Sequence, residues 1–96
     1  MYVIYEAPKD KLQKVTEILA DDLISRQTTS VRDGRTIGME EDVNYVMVEG
    51  SEEAIDKAKE MFEEEELEKA DAPDDVYEAI KKADEDAAAG VGTIFG

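Results

Sequence analysis

Carboxylates are the side chains dense enough in this chain to suggest chemistry, and two runs of them stand out. Glu40-Glu41-Asp42 is a short acidic break between β-prone segments, and Glu63 to Glu66 is an unbroken acidic run. Hard cations such as Ca²⁺ take about six to eight oxygen ligands in a forgiving geometry, so converging carboxylates suit them. Glu40, Glu41, Asp42, Glu63 and Glu64 are therefore the candidate metal ligands, with Ca²⁺ as the ion. The competing account is a solvated acidic surface, which any chain of this composition carries somewhere. No stretch matches an EF-hand loop, because Asp71 to Asp75 holds Pro73 and lacks the turn glycine.

Other chemistries are poorly supplied. The chain has no Cys and no His, which removes thiol nucleophiles, disulfides and metal sites built on sulfur or imidazole. Ser25, Ser30 and Ser51 have no His to activate them, and Ser51 reads better as a helix cap. A carboxylate pair of the glycosidase type would need stacking aromatics, yet there is no Trp and few Phe or Tyr. An enzyme is not expected.

All the arginines, Arg26, Arg32 and Arg35, flank Asp33-Gly34. Guanidinium groups capture carboxylates or phosphates in bidentate fashion. The trio could form an anion site or meet the acidic face of another copy. The alternative is pairing with acids on neighbouring elements of the same chain.

The formal net charge of −15 decides which partners to expect. Nucleic acid and anionic membrane are disfavoured, since both demand Lys and Arg to displace counterions. A divalent cation, a basic protein surface, or acidity that serves only solubility remain. The charge is uneven: residues 51–96 hold 16 acids and 5 bases, against 10 and 6 in residues 1–50. No stretch reaches transmembrane length and the amino terminus shows no basic region or apolar leader, so a cytoplasmic location is expected.

The elements that must position these groups follow from periodicity. Tyr2 to Tyr5 reads as a strand. Leu12, Val15, Ile18, Leu19 and Leu23 put one apolar stripe on a helix from Lys9 to Ser25. Thr28 to Val31 is β-prone, as is Thr36-Ile37, and Asp33-Gly34 between them suits a hairpin turn or a bulge in one strand over 28–39. Val43 to Val48 is a strong strand. Ser51 caps a helix whose stripe is Ala54, Ile55, Ala58, Met61 and Phe62. Leu67 to Ala70 suits a short edge strand. Asp71 to Asp75 opens a third helix with stripe Val76, Ile80, Ala83 and Ala87, stopped by Gly90. Val91 to Phe95 then reads as a last strand or a docked tail, adhesive toward a partner's sheet edge if left uncovered.

Ninety-six residues form one domain, 1–96. The order strand, helix, two strands, helix, short strand resembles the ferredoxin-like layout. That implies an α+β fold with a sheet of about four strands, helices on one face, and an extra C-terminal helix. In such a layout the turn after the second strand shares an end of the sheet with the exit of the first strand and the close of the second helix. That end would gather Glu6, Asp10, Glu40 to Asp42 and Glu63 to Glu66. An acidic run beside the second strand with a later acidic segment is similar to the pocket of a small acidic calcium-binding α+β protein family of methanogenic archaea. The resemblance implies Ca²⁺ binding by the first run, with the second supplying further ligands. The expected function is weak divalent-cation binding through surface carboxylates. The alternative is a non-catalytic interaction or regulatory module that uses its acidic face and self-associates through the arginine turn or the tail.

Overall fold

The computed structural model describes residues 1–39 and 42–95, with side chains described through Glu85. Its centre is a four-stranded antiparallel sheet of β1 (Tyr2–Ala7), β2 (Thr28–Asp33), β3 (Asn44–Glu49) and β4 (Glu68–Lys69), in the order β2-β3-β1-β4. This is the ferredoxin-like arrangement: the first two strands run parallel to one another with the third between them. Tyr2 lies opposite Glu49 and Ala7 opposite Asn44, while Thr28 lies opposite Glu49 and Asp33 opposite Asn44.

Helices α1 (Leu12–Leu19) and α2 (Glu52–Glu64) cover one face. Side chains alternate across a strand, so Val3, Tyr5 and Ala7 meet Val46 and Val48 there, under Val15, Ile18, Ile55, Ala58 and Phe62. The extra helix α3 (Pro73–Phe95) takes the opposite face. There Val76 and Ile80 are buried on Ile4, Tyr45 and Met47. The protein therefore has helices on both faces of the sheet: the expected pair on one and the additional helix on the other.

Several local boundaries differ from expectation, each for a visible reason. The first helix does not run from Lys9 to Ser25. Lys9–Lys11 and Ile24–Arg26 are 3-10 turns around a short α1. The Asp21 carboxylate accepts the N–H groups of Leu23 and Ile24 at 3.0 and 3.3 Å, which draws the chain out of the α-helix. Ile24, not Leu23, is fully buried as a result.

Asp33-Gly34 is neither a hairpin turn nor a strand bulge. Asp33 accepts the Arg35 N–H, Thr36 Oγ1 donates to Asp33 O, and Gly34–Ile37 coil into a 3-10 turn. Gly38 ends that turn in the left-handed region at φ 83°, where a side chain is strained. Gly90 does not stop α3, which continues to Phe95, so Val91 to Phe95 form no strand. A helical glycine costs only about 1 kcal/mol relative to Ala, and Ala87-Ala88-Ala89 immediately precede it.

The close of α2 follows its hydrogen bonds. Glu66 N–H donates to Glu63 O and Leu67 N–H to Phe62 O, with Glu66 at φ 61°. This is a Schellman closure with Glu in the position that usually belongs to glycine. Leu67 and Phe62 share one apolar cluster, the contact that accompanies the motif.

Candidate functional site

Among the described residues, the end of the sheet where β1 exits holds Asp42 and the close of α2. Tyr5, on β1, donates its hydroxyl to Glu63 Oε2 at 3.0 Å, which brings the close of α2 over that strand. The Tyr5 hydroxyl is pushed up by burial first and by Glu63 second. Asp42 lies at the same end, 3.6 Å from Lys9 Nζ with both groups exposed. Glu64 is exposed on the last turn of α2. Glu40 and Glu41 lie outside the described residues.

Two lysines enter this end as well. Lys9 takes Asp42, and Lys11 Nζ donates to the Glu65 carbonyl, one of the oxygens left free where α2 closes. Beside them is an open cleft of about 280 Å³ lined by Glu6, Lys11, Glu66 and Glu68 among others. Among the described residues, no group of three or more Asp and Glu is placed to hold a metal ion. The five candidate ligands are thus partly placed: Asp42 faces a lysine, Glu63 faces a tyrosine, and Glu64 faces solvent.

A second acidic feature carries a signal in its spacing, though it is less dense than the two runs. Glu52, Asp56, Glu60 and Glu64 follow one another at four-residue steps on α2, and all are exposed. Steps of four place side chains one above another on a helix. They form one ridge, with Glu53 and Glu63 beside it. The described ion pairs leave that ridge alone. Lys57, one of the helix's two lysines, reaches Asp21 at 2.9 Å instead. That lysine and the neighbouring backbone donors hold the Asp21 carboxyl below the usual range against some burial.

The arginines divide as their bland account expects, in part. Arg26 lies 3.4 Å from Asp22, and Arg32 reaches Asp84 on α3 at 2.6 Å. Arg35 is exposed and makes no described side-chain pair.

The polar network under α3 had no signal in the sequence, because its members are far apart in the chain. Tyr77 donates to Glu49 Oε2 at 2.6 Å, Lys81 reaches Glu49 Oε1 at 3.0 Å, and Tyr2 stacks on Tyr77 with centroids 4.2 Å apart. Tyr2 also donates to Asp74, a bond that pushes its hydroxyl up to about 12. These groups fasten α3 to the sheet.

Comparison with protein-family models, curated proteins and solved structures finds no match. No helix among the described residues is long and apolar enough to cross a membrane.

Proposed function

We propose that the protein is a non-catalytic binding module whose α2 ridge docks on a basic polypeptide surface. The single observation behind this is the four-step row Glu52, Asp56, Glu60, Glu64, exposed and without ion pairs among the described residues. Like charges four apart weaken a helix by a few tenths of a kcal/mol per pair, an expense a basic partner would reverse. Complementary charge of this kind sets encounter rate and orientation, and its effect falls with salt.

Weak Ca²⁺ binding is a second reading, favoured by Asp42 and the close of α2 lying at one end of the sheet. With Lys9 and Lys11 already there, such binding would be loose and of counterion type.

One titration separates the two. A lysine-rich peptide is added to the wild type, to Glu52→Gln/Asp56→Asn/Glu60→Gln/Glu64→Gln, and to Asp71→Asn/Asp75→Asn/Glu78→Gln/Glu85→Gln. Both variants lose the same charge. The ridge variant should bind at least about tenfold more weakly while the α3 variant changes little. Equal losses would mean that net charge alone attracts the peptide, and the docking face would be abandoned. In the parallel CaCl₂ titration, saturable amide shifts confined to Asp42 and the close of α2 would favour the cation reading.

A further inference from the structure

The two edges of the sheet are built differently. At one edge, β4 pairs only at Lys69 and Glu68, opposite Tyr5 and Glu6. Very short edge strands are a common protection against pairing with other chains. The other edge is β2, six residues long and paired without a break to β3 over its whole length. Among the described residues no strand lies on its outer side. Thr28-Thr29-Ser30-Val31-Arg32-Asp33 contains no Pro, no Lys and no bulge. Of the usual protections it carries only charge, and Arg32 and Asp33 are of opposite sign.

The direction of its free groups follows from the ladder. Gly34 N–H donates to Val43 O at 2.8 Å, and paired residues recur at every second position of an antiparallel ladder. Arg32, Ser30 and Thr28 therefore turn their main-chain groups toward β3, and Thr29, Val31 and Asp33 turn theirs outward. Val31 lies opposite Val46 on the α1/α2 face and is 36% exposed, one of the few large apolar side chains so open.

Charge decides what can approach. Asp22, Arg26, Arg32, Asp33, Arg35 and Asp84 gather at this edge, three carboxylates against three arginines. In a chain of net charge −15 these described charges balance, so an equally acidic molecule meets less repulsion here than along the α2 ridge.

We propose that β2 pairs with β2 of a second copy, antiparallel about a two-fold axis at Val31, which joins two sheets into one of eight strands. That register sets Val31 against Val31 and Thr29 against Asp33. Their outward N–H and C=O groups then meet as hydrogen-bonded pairs. Asp33 O already accepts from Thr36 Oγ1, and its second lone pair serves the new bond. The two exposed valines extend the Val46–Val31 row from one copy into the next. The pairing is independent of the α2 ridge and survives if that reading fails.

Sedimentation equilibrium of the full chain, over a concentration series at low and high NaCl, tests it. The expected result is a species of twice the 10.7 kDa chain mass. Its association should tighten with salt, because screening relieves the overall repulsion while the pairing itself is uncharged. Val31→Lys, which places a charge on the edge, should weaken association at least about tenfold with unchanged far-UV circular dichroism. Val31→Pro removes the outward N–H and spares the ladder to β3, with the same expectation; if it misfolds, the lysine variant alone decides. The described chain has no cysteine, so Val31→Cys reports register. It should oxidise to a linked dimer faster than Thr29→Cys. A monomer at every concentration and salt would overturn the proposal. So would a dimer that persists in both Val31→Lys and Val31→Pro, or one that dissociates as salt rises.

Discussion

The two faces of the sheet are held by different forces. Under α1 and α2 the cluster is apolar throughout and includes Tyr5 against Phe62, ring centroids 5.0 Å apart. Its polar contacts, Tyr5 to Glu63 and Lys57 to Asp21, lie at the margins. Under α3 the buried apolar set is smaller among the described residues, and the helix is fastened by Tyr2, Tyr77, Glu49, Lys81 and the Arg32–Asp84 pair. Apolar burial is non-directional and indifferent to pH. Hydrogen bonds and ion pairs add orientation but little net stability at exposed sites. One face thus carries the stability of the domain, and the other carries a helix whose attachment depends on solution conditions.

Truncating one core residue on each face puts that contrast at risk. Phe62→Ala should cost about 3–5 kcal/mol and lower the denaturation midpoint of the whole domain. Ile80→Ala should cost nearer 2 kcal/mol, with amide exchange accelerating in α3 before it does in β1 and β3. If the two cost the same and melt every element together, the faces are not separable.

Glu66 offers a gain instead of a loss. It occupies the left-handed region at φ 61°, which costs an ordinary residue about 1 kcal/mol or more. Glu66→Gly should raise stability by roughly that amount in urea titration. No gain would mean that local contacts of the Glu66 side chain offset the backbone strain.

The smallest effect is in pH dependence. Glu49 is held below the usual carboxylate range, first by the Tyr77 hydroxyl and then by Lys81. A group with a depressed folded pKa stabilises above its unfolded value, and that support disappears as pH falls through the folded one. Tyr77 and Lys81 are both raised, chiefly by Glu49. Their contribution is complete below their ordinary values and is lost as pH rises through the raised ones. The Tyr2–Tyr77 stack should therefore loosen at both extremes, seen as a fall in near-UV tyrosine circular dichroism. Glu49→Gln should flatten the acid limb. An unchanged acid limb would assign the attachment of α3 to Val76 and Ile80 alone.

Much of the fold was legible because apolar periodicity is a local signal. Val43 to Val48, Ser51 as cap, the α2 stripe and the short strand near Glu68 are all where spacing puts them. Asp21 and Asp33 misled for a common reason. Each spends its carboxylate on backbone N–H groups two or three residues ahead, a competition that periodicity does not register. At the candidate site, the sheet end shared by Asp42 and the close of α2 followed from topology. Lys9 and Lys11 did not, because reading them as part of a continuous helix hid that Lys9 turns to Asp42 and Lys11 to the Glu65 carbonyl. The Glu49–Tyr77–Lys81 set joins positions brought together only by the fold.

Gly38, which ends the 3-10 turn after β2, and Gly50, which follows β3, are unequal hosts for inserted sequence. Around Gly38 an added Cβ would meet nothing, so the chain there has room to lengthen. At Gly50 an added Cβ would collide with the Gln27 amide. That same amide accepts from Ser51 N–H and donates to Leu23 O, while Gly50 N–H donates to Met1 O. Three stretches of chain, at Met1, Leu23 to Gln27 and Gly50-Ser51, meet in that knot. Extra residues or a grafted loop belong at the Gly38 turn, whereas a side chain at Gly50 would displace the Gln27 amide from Ser51 and Leu23.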